Sequence, residues 1–204
     1  QKCYDPRSTS FNANTDVSVA NDTITFTGHS LSTFDRAKYD VNSGTALGGL
    51  VDGTTYFVIK VDANTIKLAT NYANCLAGTQ INITSQPSSE TQKFNFTTFS
   101  SNPALCIRDY LTDTKFGLQT ETAELNDTII QSVANTCDET VTLANPVGTE
   151  KRFTCNGSFV LTSSPKVILE NLLTTMGGSL IYSNGQFKMV PATYQTPVVT
   201  LTEA

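Results

Sequence analysis

The run Thr54-Thr55-Tyr56-Phe57-Val58-Ile59-Lys60-Val61 reaches Asp62-Ala63-Asn64 and returns as Thr65-Ile66-Lys67-Leu68-Ala69. β-Branched and aromatic residues suit the pleated surface of a strand, while Asp and Asn bend a chain through hydrogen bonds to their own backbone. Two such runs around such a cluster commit this part of the chain to an antiparallel hairpin. A shorter signal of the same kind precedes it, where Val17-Ser18-Val19 and Thr23-Ile24-Thr25-Phe26 alternate around Asn21-Asp22. A further strand is expected at Gln80-Ile81-Asn82-Ile83-Thr84, so Asp16 to Thr84 reads as a small all-β module.

The pattern then changes. Gln86-Pro87-Ser88-Ser89-Glu90 is a polar linker, and Lys93 to Phe99 alternates as a strand. Ser101 or Asn102 can cap a helix whose first position is Pro103, where a missing N–H costs nothing. Leu105, Ile107, Tyr110 and Leu111 give that helix an apolar side, and Gly117 is its expected stop. Leu125, Ile129, Ile130, Val133 and Cys137 form the stripe of a second helix, with acidic residues at its positive end. After the loop at Asn145–Gly148 a strand is expected over Arg152–Leu161. Ser164-Pro165 opens a third helix with Val167, Ile168, Leu172, Leu173 and Met176 as its buried stripe, closed by Gly177-Gly178. Ser179–Tyr182 and Gln186–Val190 form a last hairpin around Ser183-Asn184-Gly185. The sequence therefore predicts an α+β main body with about three short helices and mixed or antiparallel sheets, carrying an inserted all-β module.

At 204 residues the chain can hold one medium domain or two small ones. Hydrophobic content of 39% with 15% charge describes an ordered chain. A net charge of -5 argues against a nucleic-acid partner, because no basic stripe is present to displace counterions from phosphates. Lys151-Arg152, the densest basic spot, reads as a solvated strand start. No apolar run approaches the length of a membrane span. The strand-like Val198-Val199-Thr200-Leu201 near the end suggests a piece of a longer polypeptide.

The search for chemistry assigns no catalytic, cofactor-binding or metal-ligating residue. Cys3, Cys75, Cys106, Cys137 and Cys155 are far apart, form no Cys-x-x-Cys pair and lie far in sequence from the one histidine, so a zinc site is a poor reading. They read as reduced thiols, with Cys106 and Cys137 behaving as small buried hydrophobes. His29 follows Gly28 beside a strand end, with no acid at triad spacing, and reads as a loop histidine. Asp109 and Asp113 stand one helical turn apart, where pairing with Arg108 and Lys115 is the commoner use of such charges. Asp138-Glu139 lacks the surrounding pattern of a calcium loop. Gly177-Gly178 follows a helix, whereas phosphate cradles precede one. Cys137 beside Asp138 has no paired histidine to make it a nucleophile.

The wording of several segments goes further. Asn102-Pro103-Ala104-Leu105-Cys106, then Asp109-Tyr110-Leu111-Thr112-Asp113 and Phe116-Gly117-Leu118, resembles the core of phage tail-tip proteins of the lambda tip-attachment (protein J) type. The same family pattern has a Tyr-Asp-Pro-Arg box upstream, here Tyr4–Arg7, and a helix ending in Cys-Asp-Glu, here Cys137–Glu139. An Arg-Phe-Thr-Cys-Asn-Gly strand stands at Arg152–Gly157, and Gly-Gly-Ser-Leu-Ile-Tyr-Ser-Asn-Gly-Gln-Phe at Gly177–Phe187. Between the first boxes, Asp52–Asp62 and Asn64–Ala69 are similar to repeats that decorate phage and bacterial surface proteins.

The resemblance implies a discontinuous hub-like α+β region over 1–13 and 87–204, with 14–86 as an inserted module in one of its loops. It implies a structural, non-enzymatic virion protein without a cofactor, joining tail tube to central fibre and taking part in host attachment. The expected assembly is a homotrimer with other tail-tip and tail-tube proteins, built in the bacterial cytoplasm and placed at the distal end of the tail. The alternative is an adhesin fragment that recognises a surface glycan or receptor through the β module, with exposed aromatics such as Tyr39, Tyr56 or Tyr72 stacking on sugars, although core packing is the commoner role for at least Tyr56. A wall-degrading hydrolase is a third reading, but the chain lacks paired carboxylates in a recognisable setting.

Overall fold

The expected hairpin is the middle of the structure's large sheet. The computed structural model describes residues 2–160 and 162–194. In it, β6 (Thr55–Lys60) and β7 (Thr65–Ala69) pair antiparallel, with Phe57 opposite Ala69 and Lys60 opposite Ile66. Alternation sends Tyr56, Val58, Ile66 and Leu68 into the core. Asp62 holds the turn by accepting the Asn64 amide at 2.7 Å, and this bond keeps its carboxyl below the usual range. The shorter hairpin forms as β3 (Val17–Ser18) and β4 (Thr23–Thr25), and β4 joins β7 with Ile24 opposite Ile66.

The rest of the sheet comes from both sides of this segment. β1 (Lys2–Tyr4) and β2 (Thr9–Asn12) both pair with β8 (Thr91–Phe99), and β5 (Arg36–Asp40) pairs with β8 as well as with β6. The order β1-β8-β5-β6-β7-β4-β3, with β2 also on β8, makes one eight-stranded antiparallel sheet. It curls on itself, since Phe26 beyond β4 meets Phe94 on β8 at 6.1 Å and Phe11 on β2 at 5.6 Å. Strands of the 14–86 segment thus share a sheet and a core with strands from 1–13 and 91–99. The chain divides into two compact units, Gln1–Ser100 and Ser101–Ala204.

Within the first unit, the Tyr39 hydroxyl donates to the buried Gln92 side chain and accepts the Leu47 amide at 2.9 Å, while Gln92 donates to Thr45 O at 2.7 Å. These bonds satisfy polar groups that burial would otherwise make costly. A short helix, α1 (Tyr72–Leu76), is capped by the Asn71 side chain, which accepts from Asn74. The strand expected at Gln80–Thr84 does not form; its amides reach single partners, Ile81 to Leu68 O and Thr84 to Gly48 O, without a ladder.

The second unit holds α2 (Pro103–Thr112), a 3₁₀ turn (Thr122–Glu124), α3 (Asp127–Asp138), β9 (Thr140–Ala144), β10 (Val147–Lys151), α4 (Pro165–Thr174), β11 (Ser179–Ser183) and β12 (Gln186–Val190). α2 packs against α3 and α4, and α3 packs against β12. Asn102 caps α2 and Ser164 caps α4, each with proline in the first turn. Asn184 and Gly185, at φ 54° and 74°, form the two-residue turn between β11 and β12. α4 ends in a Schellman closure, with Gly178 N–H on Leu173 O, Gly177 N–H on Thr174 O and Gly177 at φ 57°.

The expected fold class is corrected by this layout. Strand outweighs helix, 30% against 21%, so the protein is mostly β, while the expected body with about three short helices is roughly compatible with it. The described residues contain twelve strands and four α-helices. Two features carry the balance. The segments 2–12 and 91–99 lend their strands to the large sheet, and Thr140–Lys151 forms a hairpin around the place where a loop is expected, Asn145–Gly148. The strand expected from Arg152 is absent over 152–160, and Leu161 and Val198–Leu201 lie outside the described residues. α2 stops at Thr112 rather than at Gly117. Val167, expected in the buried stripe of α4, is 45% exposed, while Ile168 and Met176 are buried.

Candidate functional site

In the second unit, segments that lie far apart in sequence meet. Asn102 Oδ1 accepts the Ala104 amide at 3.1 Å, and its Nδ2 donates to Ala134 O at 2.9 Å, tying α2 to α3. The buried Arg108 guanidinium grips Asp127 at the start of α3. The 152–157 segment is held by its backbone: Arg152 N–H on Glu139 O at 2.8 Å, Phe153 N–H on Cys137 O at 3.2 Å and Cys155 N–H on Ser101 O at 2.7 Å. The thiols of Cys155 and Cys106 are in hydrogen-bond contact, and the Thr175 side chain is also in hydrogen-bond contact with Cys155. The contact with Cys106, followed by burial, pushes the Cys155 thiol well up.

The charged candidates largely neutralise one another. Lys151 Nζ reaches Asp138 Oδ1 at 2.6 Å and Arg152 Nε reaches Glu139 Oε2 at 2.9 Å, so the basic spot and the acidic pair become two cross-links. Asp113 closes the turn after α2 by accepting the Phe116 amide at 2.6 Å and the Lys115 amide at 2.8 Å, which holds its carboxyl below the usual range. Cys137 is fully buried in α3, whereas Cys106, expected to be buried, is partly exposed. Among the described residues no group of three or more His, Cys, Asp or Glu could hold a metal ion.

The box Tyr4–Arg7 lies in the first unit, where Tyr4 ends β1 and Asp5–Arg7 lead on toward β2, both strands lying on the same edge of β8. Asp5 accepts the Arg7 guanidinium at 2.6 Å, and Asn95 Nδ2 donates to Pro6 O at 2.8 Å. The box is a fastened corner.

Beside the large sheet the sequence reading missed a groove of about 480 Å³, lined by Thr9 and Ser10 of β2, Thr25 of β4, Phe96 of β8, and His29. No local motif announces it, because its wall is assembled from strands distant in sequence. His29 Nδ1 accepts the Leu31 amide at 3.2 Å. A neutral imidazole accepting at Nδ1 carries its proton on Nε2. That Nε2 is buried and has no hydrogen-bond partner. Of the tyrosines weighed as sugar contacts, Tyr56 packs in the core as expected, at 4% exposed, Tyr39 is also a core residue at 0%, and Tyr72 is exposed and stacks on Phe34 at 5.0 Å.

No protein-family model matches the chain, and no curated protein matches it. Among the described residues no helix is long and apolar enough to cross a membrane.

Proposed function

We propose that the chain is a structural protein of a phage tail tip, of the baseplate-hub kind, joining tail tube to central fibre and taking part in host attachment. One observation carries this reading: the Asn102, Cys137–Glu139 and Arg152–Gly157 segments, which resemble that family, interlock through caps, ion pairs and backbone hydrogen bonds. Residues used in this way serve a scaffold, not a bond-making step. On this reading the protein is not an enzyme and needs no cofactor. It acts as a homotrimer against other tail-tip and tail-tube proteins, after assembly in the bacterial cytoplasm and at the far end of the virion tail. Val147, Val160 and Ile181, 89%, 66% and 48% exposed, offer apolar area of the sort that subunit contacts bury.

The test is immunogold electron microscopy of particles with an antibody against residues 101–204. Gold confined to the distal tail end supports the proposal. Gold on capsids, on side fibres or on no particle overturns it, and a strictly monomeric chain at high concentration removes the trimer.

The groove at His29 favours a second reading, glycan recognition by the first unit. Hydroxyls from Thr9, Ser10 and Thr25 and the half-buried ring of Phe96 are the groups that hold a neutral sugar, hydrogen bonds at its edge and an apolar face beneath it. A glycan array probed with the whole chain tests it. Binding that Phe96→Ala abolishes supports this reading, and no binding to any glycan rejects it.

A further inference from the structure

We propose that Cys106 and Cys155 close an intramolecular disulfide when the chain meets an oxidising environment, stapling α2 to the 152–157 segment. The two sulfurs already touch, and both residues are fixed by their backbones. Cys106 N–H donates to Asn102 O at 3.0 Å in the first turn of α2, and Cys155 N–H donates to Ser101 O at 2.7 Å, beside that same turn. Two sulfurs in contact are the starting geometry from which side-chain torsions can close a disulfide.

Access selects the same pair. Cys106 and Cys155 are partly exposed, while Cys3, Cys75 and Cys137 are 2%, 3% and 0% exposed. A small-molecule disulfide such as oxidised glutathione therefore reaches these two thiols first. One protein thiolate attacks it, forming a mixed disulfide and releasing one glutathione thiolate. The second protein thiolate then attacks the protein sulfur of that mixed disulfide and releases the second glutathione. The protein loses two electrons and two protons, and one oxidised glutathione becomes two reduced ones.

The long loop from residue 106 to 155 is the kind whose closure most restricts the unfolded chain. Resting on the tail-tip reading, the staple has a use: the chain is built in a reducing cytoplasm and works outside it, so the bond forms after release from the host.

The experiment treats the purified full chain with oxidised glutathione, blocks remaining thiols and maps peptides without reduction. The expected result is a linked Cys106–Cys155 peptide with Cys3, Cys75 and Cys137 still blocked as thiols. The thermal midpoint should rise by roughly 10 °C and fall back on reduction. Cys106→Ser and Cys155→Ser should each abolish the shift. Blocked thiols at both positions after oxidation, or linkage of either to another cysteine or another chain, overturns the proposal. The map uses the wild-type chain, so it reads the staple even if a variant fails to fold. It is also independent of where the protein sits on a particle, so failure of the staple and failure of the tail-tip reading are separate results.

Discussion

Arg108 on α2 holds Asp127 at the first position of α3 by two parallel hydrogen bonds, Nε to Oδ1 at 2.8 Å and Nη2 to Oδ2 at 3.0 Å. The guanidinium side chain is 7% exposed and the carboxylate 39%, so the cation is the buried member of the pair. The planar fork matches a carboxylate in a way that an ammonium cannot. Asp127 also sits in the first turn of its helix, where a negative charge meets the positive end of the dipole.

Asp127→Ala removes the paired carboxylate and both of these hydrogen bonds from the buried cation and should destabilise the second unit by about 2–3 kcal/mol. Arg108→Met, which removes the charge and keeps apolar bulk, should cost less. Urea unfolding followed by circular dichroism ranks the two. If Arg108→Met costs more than Asp127→Ala, the buried charge is not what makes the pair important.

Tyr39 should ionise late in an alkaline titration. Burial pushes its phenol up to about 12 from an ordinary 10. The folded state therefore resists deprotonation that the unfolded state accepts. The stabilising contribution is whole below pH 10 and is lost as pH rises from there towards about 12. Phenolate absorbance during an alkaline titration should contain one late step that Tyr39→Phe removes. The same variant strips a partner from Gln92 and from the Leu47 amide, at a cost of about 1–3 kcal/mol at neutral pH.

Asn102 has two separable roles. Asn102→Ala loses both the cap on α2 and the bond to Ala134 O, and should cost about 2 kcal/mol. Asn102→Ser keeps a capping oxygen but cannot reach Ala134, and should cost about 1 kcal/mol. Thermal midpoints that fall in the order wild type, Ser, Ala separate the roles; equal loss in both variants would leave the cap with no measurable share.

What could be read from the sequence follows the range of the interactions involved. Caps, turns and periodicity act over a few residues, so Asn102, Ser164, the β6–β7 hairpin and the Asn184-Gly185 turn could all be located. β5 went unrecognised because Arg36-Ala37-Lys38-Tyr39-Asp40 buries only an alanine and a tyrosine, a short weak alternation that becomes a strand between β8 and β6. The reverse error at Arg152–Val160 has the same origin: the segment looks strand-like, yet its amides are taken one at a time by Glu139, Cys137 and Ser101. The His29 groove and the Cys106–Cys155 contact depend on which strands and helices become neighbours, and no local pattern specifies that.

Gly117 tests how tightly the chain turns back along α2. Beyond Asp113 the backbone folds so that Leu118 N–H reaches Tyr110 O at 3.0 Å and Thr120 N–H reaches Leu111 O at 2.8 Å. A β-carbon at residue 117 would collide with the Tyr110 carbonyl oxygen and stand 2.8 Å from Asp113 O, both backbone atoms. Gly117→Ala should therefore destabilise by about 1–3 kcal/mol through the forced shift. Gly148→Ala in β10 is the matched control, because a β-carbon there meets nothing within 4 Å. It should be neutral or slightly stabilising, since alanine restricts the unfolded chain. If Gly117→Ala proved as mild as Gly148→Ala, the chain would not return so closely along the last turn of α2, and only the unfolded-state effect of alanine would remain.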